Sequence, residues 1–154
     1  VSRTSVVIEL LSRGDVYYNV SGLTKEEALS SFVRVAKIPR SVDRSKLAMA
    51  LQDREALTST AIGNGYAIPH PRMNMIPEKS MSSISIAYLE KPLDWDAYDK
   101  KSVSILFMLL SHNSEQHLFA LSGLAFLAND KEFNNCIEKR PGKDEILEFL
   151  SSSY

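Results

Sequence analysis

A single cysteine, Cys136, occurs in the whole chain, so no disulfide can close within it and no cysteine-rich metal site can be assembled. Long apolar runs are missing as well. No uninterrupted stretch approaches the roughly 20 residues needed to cross a bilayer, so membrane insertion is not expected. Neither sign of charge is in excess: 18 Lys and Arg stand against 19 Asp and Glu, a net charge of −1. That balance argues against broad electrostatic wrapping of nucleic acid, and direct nucleic-acid binding is not expected. Linkers, low-complexity tracts and internal repeats are also lacking. The opening residues Val1-Ser2-Arg3-Thr4-Ser5 do not open a signal peptide, and Val1 in place of methionine points to a trimmed natural start. One cysteine and no leader read as a reduced, cytoplasmic setting.

What is present is an ordinary globular mixture, 44% hydrophobic and 24% charged over 154 residues, which suits one compact domain spanning 1–154. Residues 6–11 are a short apolar element, a first helical turn or a strand. Residues 15–20 carry the aromatic and β-branched content of a strand. Thr24 and Glu27 are spaced as a capping box, and Ala28, Leu29, Phe32, Val33 and Ala36 recur at helical spacing toward Lys37 and the stop before Pro39. A second helix is expected after Asp43, running into Leu57. Residues 81–89 alternate as a strand, and 92–96 read as a turn. Residues 103–110 are apolar on both alternating faces, as in a central strand covered on each side. A long helix capped by Ser114 is expected to reach Ala128, followed by short helices around 131–139 and 144–149. This order predicts an α/β fold, a single-domain sandwich with a central mixed sheet flanked by helices.

The densest cluster of special residues is Thr60-Ala61-Ile62-Gly63-Asn64-Gly65-Tyr66-Ala67-Ile68-Pro69-His70-Pro71-Arg72. It has neither the spacing nor the Gly-Lys-Ser/Thr ending of a Walker loop, and it lacks the full dinucleotide fingerprint. Its glycines alone suit a tight connection. His70 adds chemistry: Pro69 and Pro71 each restrict φ, and Pro71 biases His70 toward extended backbone. An imidazole on so stiff a segment loses little freedom on entering a reactive complex, and its neutral form offers a nucleophilic nitrogen near pH 7.

These residues, together with Arg54-Glu55, His117-Leu118, Pro92-Leu93-Asp94-Trp95 and Asp99, resemble the IIA components of the bacterial phosphoenolpyruvate-dependent phosphotransferase system. The resemblance is to the type-2 (fructose, mannitol and nitrogen-regulatory) class and covers essentially the whole chain. It implies an α/β sandwich in which a histidine at the His70 position accepts and donates a phosphoryl group. A second histidine, at the position of His117, is implied beside it as a hydrogen-bond donor to the phosphoryl oxygens, and an arginine at Arg54 borders the site. The helix start offers His117 an independent argument, since a positive helix end favours neutral imidazole and attracts phosphate. A guanidinium at Arg54 presents paired donors to phosphate oxygens. Thr60, Gly63, Gly65 and Arg72 are candidates to support the phosphate. Many relatives carry glycine after the histidine where this chain has Pro71-Arg72. The proline removes one backbone N–H, which Arg72 would partly offset, and the pair leans toward regulatory relatives.

The resemblance implies a histidine-containing phosphocarrier protein as donor and an EIIB component or a regulatory target as acceptor or partner. It calls for no cofactor, and the three histidines lack the spacing of a metal motif. His112 has no role to carry over and reads as rim. Tyr66, Ile68, Met73 and Met75 are candidates for the surface that meets a partner, with Ile68 in the core as the competing reading. Three functions are compatible with the residues: a nitrogen-regulatory phosphorelay protein, a sugar-transport EIIA, and a binding domain that has lost phosphotransfer.

Overall fold

The computed structural model describes residues 2–154. Five strands form one mixed sheet in the order β1-β4-β5-β3-β2. They are β1 (Val16–Val20), β2 (Ala61–Gly63), β3 (Tyr66–Ala67), β4 (Ser83–Leu93) and β5 (Val103–Leu110). β1 runs parallel to β4 and β3 parallel to β5, whereas β4 and β5, like β2 and β3, are antiparallel.

β5 shows why the sheet is covered on both sides. Its even residues, Leu106, Met108 and Leu110, join Phe32, Leu47, Leu51 and Trp95 beneath α2 (Lys25–Val35) and α3 (Arg44–Leu57). Its odd residues, Ile105, Phe107 and Leu109, join Val7, Leu124, Phe133 and Leu150 on the other face. That face is covered by α1 (Arg3–Arg13), α4 (Ser114–Ala128), α5 (Lys131–Glu138) and α6 (Lys143–Ser153). The period of two sends alternate side chains to opposite layers, so an apolar residue at nearly every position is what a central strand requires.

Several boundaries differ from expectation for identifiable reasons. The ambiguous apolar element at 6–11 is the middle of α1, started by Ser2, whose hydroxyl accepts from the Ser5 N–H. β4 continues past its expected end at Leu89, through Pro92 to Leu93 at the start of the expected turn. The missing proline donor is tolerated there because β1 pairs with β4 only as far as Leu89. The glycine segment, expected as a plain connection, forms the β2–β3 hairpin. Gly63, Asn64 and Gly65 all take positive φ at its tip, which the glycines permit without a Cβ penalty. The N-cap of α4 is Asn113, not Ser114: Asn113 Oδ1 accepts from Gln116 N, and Gln116 Oε1 accepts in return from the His112 N–H. The pair resembles a capping box whose return bond falls one residue before the cap, and it displaces Ser114 to the first helical position.

α1 and α4 meet closely at Gly123. A Cβ there would lie 2.6 Å from the Arg3 carbonyl oxygen and 2.7 Å from Val7 Cγ2. Gly123→Ala is therefore expected to destabilise the fold by about 1–3 kcal/mol through overpacking, overriding the better intrinsic helix propensity of alanine. A denaturant midpoint equal to or above wild type would contradict this reading of the contact.

Candidate active site

β3 and β5 run side by side toward the same end of the sheet. Tyr66 pairs with Ile105 and Ala67 with Leu106, and the Pro69 carbonyl accepts from Leu109 N at 3.0 Å. One residue later His70 stands near the end of β5. The chain leaving β5 passes through Ser111 into the α4 capping box, which places His117 in the first turn of that helix. The two imidazoles meet there, with ring centroids 4.6 Å apart and planes inclined at 62°.

The hydrogen bonds settle the state of His70. Its Nδ1 lies 2.7 Å from the Ile68 carbonyl oxygen, and a carbonyl only accepts, so Nδ1 carries the proton. Burial lowers the His70 pKa; the Ile68 bond and the Glu55 carboxylate pull upward, while the Arg54 charge adds to the lowering. The neutral ring with a proton on Nδ1 has its lone pair on Nε2. His117 is held by Ser111, whose buried Oγ lies 3.2 Å from its Nδ1. Burial, then competition with His70 for a proton and the Arg54 charge, push the His117 pKa down to about 4. Helix geometry contributes differently from expectation, because the His117 N–H already donates to the Asn113 carbonyl at 3.1 Å.

These shifts have a measurable consequence. On acidification the unfolded chain takes up a proton at the ordinary histidine value near 6.5, while folded His117 resists until about 4. Between those values the unfolded state binds more protons, so this contribution to stability is present above pH 6.5 and declines as the pH falls toward 4. A ring-proton NMR titration should place the His117 midpoint near 4. A midpoint at the ordinary histidine value would contradict the packed, neutral pair.

Arg54 sits in the last turn of α3, half-buried, with NH1 donating to the Thr58 carbonyl at 2.7 Å. Its charge bears on both imidazoles. Arg54, His70 and His117 thus converge from three separate segments. Arg72 lies two residues beyond His70 and is exposed.

Other sequence candidates fall elsewhere. Thr60 is buried and donates its hydroxyl proton to Glu55 Oε1 at 2.6 Å, so it has no donor left for a phosphate. Gly63 and Gly65 sit at the wrong end of the molecule: the intervening Asn64 Nδ2 donates to the Ala128 carbonyl at the C-terminus of α4. His117 lies in the first turn, about 16 Å away along that helix. The glycines serve the hairpin tip, where Gly63 also gives room to the Tyr98 ring. Tyr66 and Ile68 are not surface. Both are at most 2% exposed, packed among Phe107 and Phe133, with the Tyr66 hydroxyl donating to Asn134 Oδ1. Met75 is half-buried against the α2–α3 layer, and only Met73 stands free, 77% exposed. His112 is half-buried, its Nδ1 bonded to the Ile76 carbonyl, and pins the chain after His70 to the start of α4. Ser111 and Glu55 are the residues that sequence reasoning did not place in the site.

The class defined by this fold is the EIIA-type phosphotransfer domain. Residues 9–153 match the family described as "Phosphoenolpyruvate-dependent sugar phosphotransferase system, EIIA 2", and the chain belongs to that family. A nitrogen regulatory protein from Pseudomonas aeruginosa is 30% identical over 146 residues, covering 92% of each chain. The crystal structure of nitrogen regulatory protein IIA-Ntr from Neisseria meningitidis superposes with a TM-score of 0.79 at 25% identity, covering 94% of this chain and 99% of that one. The fructose-specific EIIABC component of the phosphotransferase system from Bacillus subtilis is 26% identical over 148 residues, taking in 94% of this chain but 23% of that protein. No helix among the described residues is long and apolar enough to cross a membrane.

Proposed function

We propose that residues 1–154 act as one phosphocarrier unit in which His70 Nε2 accepts a phosphoryl group from a histidine-containing phosphocarrier protein, in a relay of the nitrogen-regulatory type. The observation that carries this reading is the Nδ1–H bond from His70 to the Ile68 carbonyl, which leaves the Nε2 lone pair free beside His117. The Nε2 lone pair forms the new P–N bond while the P–N bond of the donor breaks, its electron pair returning to the donor imidazole. Nδ1 keeps its proton throughout. The phosphorylated ring therefore leaves as neutral imidazole when the phosphoryl group moves on, and no proton transfer is needed at that step.

His117 supplies a hydrogen bond to the phosphoryl oxygens. With the Ser111 hydroxyl donating to His117 Nδ1, the ring carries its proton on Nε2, and a neutral ring adds no charge that must be lost on transfer. Arg54 offsets the charge of the transferring group, and Arg72 is positioned by sequence to assist at the rim. In-line placement of attacking and departing nitrogens, not covalent help from the protein, is the main demand of such a reaction. Met73, exposed close behind His70, belongs to the surface that a partner would cover.

The regulatory assignment is supported by relatives named nitrogen regulatory proteins that this chain matches almost end to end. The fructose-specific relative sustains sugar transport as the second reading. The test is discharge of the purified phosphoprotein in a single turnover. Slow discharge to fructose- and mannitol-class EIIB domains, with rapid charging by a nitrogen-type carrier, is the expected outcome. Fast, stoichiometric transfer to an EIIB domain would establish the transport reading instead.

A further inference from the structure

We infer that Glu55 is a positioning residue for His70: its buried carboxylate, acting through Thr60 and Ile68, fixes the carbonyl that holds the imidazole in its Nδ1–H tautomer. Its functional consequence rests on the phosphocarrier reading of His70; the tautomer itself does not.

Glu55 is 5% exposed in the last turn of α3, and among the described residues no lysine, arginine or histidine pairs with it. Burying an unpaired carboxylate is costly, and such a group persists only where hydrogen bonds offset the lost hydration. Here both oxygens are engaged by one residue. Oε2 accepts from Thr60 N and Oε1 from the Thr60 hydroxyl, each at 2.6 Å. A carboxylate receiving two donors from a single residue fixes that residue's direction as well as its position.

Thr60 is where the direction matters. Its carbonyl accepts from Ile68 N at 3.0 Å, extending the β2–β3 pairing of Ala61 with Ala67 by one step. Ile68 is 1% exposed, so the residue has little room to shift, and its carbonyl, in the following peptide unit, receives His70 Nδ1–H at 2.7 Å. Hydrogen bonds joined through the backbone of Thr60 and Ile68 therefore link the carboxylate to the ring nitrogen. Arg54, the preceding residue, clamps the same turn from its other side by donating to the Thr58 carbonyl. Two consecutive residues at the end of α3 thus hold the turn into β2, and Arg54 also offers a positive charge to the phosphoryl site. The negative charge of Glu55 is felt at His70 as well, opposing the effect of Arg54.

Nitrogen-15 NMR of the histidine side chains in the full chain reads the tautomer without any phosphoryl donor. Wild type is expected to show His70 protonated on Nδ1 and bare on Nε2. Glu55→Ala should mix the tautomers and slow single-turnover phosphoryl acceptance by about 10- to 100-fold, the range lost when a partner that orients a metal-ligating imidazole is removed. Glu55→Gln, which still accepts from Thr60 N and can donate to its hydroxyl, should restore both the tautomer and most of the rate. Thr60→Val, which keeps the N–H and loses the hydroxyl, should give an intermediate mixture and decides the matter should Glu55→Ala fail to fold. A pure Nδ1–H tautomer in folded Glu55→Ala, or in Thr60→Val, overturns the inference even if His70 is phosphorylated normally. A wild-type ring of the expected tautomer that no carrier phosphorylates leaves Glu55 in place and removes the phosphocarrier reading.

Discussion

His70→Ala is expected to incorporate no acid-labile phosphate while keeping its fold. The ring is half-buried and its hydrogen bond runs to the carbonyl of Ile68, two residues back in the same segment. Its loss removes no long-range link in the sheet. The Ile68 carbonyl is left without the ring's proton, a cost of about 1–3 kcal/mol. The covalent step, by contrast, has no substitute nucleophile in place: His117 is a neighbour whose pKa of about 4 reflects burial beside His70 and Arg54, and its Nδ1 is occupied by Ser111. Stoichiometric labelling by a charged carrier, alongside near-UV circular dichroism, checks both halves of this expectation. Retained labelling in the folded variant would transfer the nucleophilic role elsewhere.

The second large effect is expected at Arg54. Its guanidinium is the cation whose charge reaches both imidazoles, and the phosphoryl group brings negative charge into a partly dehydrated site. Removing a comparable electrostatic donor elsewhere costs about 100- to 1,000-fold in rate, and Arg54→Ala should slow single-turnover transfer by that order. Arg54→Lys should recover part of the rate, since it restores charge without the planar fork. Stability should change little, because the bond lost to the Thr58 carbonyl is exposed. Transfer at the wild-type rate in Arg54→Ala would remove this residue from the mechanism.

Much of this arrangement is legible in the chain. The two-sided apolar run of β5, the Thr24 and Asp43 caps and the end of α4 at Ala128 follow from local rules, and the structure repeats them. The period-two spacing of Tyr66 and Ile68 is also a strand signal. Set among glycines and prolines, it is easily taken for loop: Tyr66 is then assigned to the surface, while for Ile68 the competing core reading is the one the structure bears out. The α4 cap turns on competition between Asn113 and Ser114, which the Asn113–Gln116 spacing resolves in favour of Asn113. The role of Glu55 has no such signature. A carboxylate reaching five residues onward, across a helix end into a new strand, matches no period, and only the fold reveals that it is buried. Ser111 is hidden for the same reason, since its link to His117 depends on how the chain turns from β5 into α4.

The most direct measurement is the position of the phosphoryl group. The nitrogen-15-labelled chain would be charged by phosphoenolpyruvate, the first enzyme of the phosphotransferase system and a histidine carrier, then read by phosphorus–nitrogen coupling under alkaline conditions. One phosphoryl group on His70 Nε2, with His117 unmodified, is the expected result. Label on His117, label on His70 Nδ1, or no label from any competent carrier would contradict it.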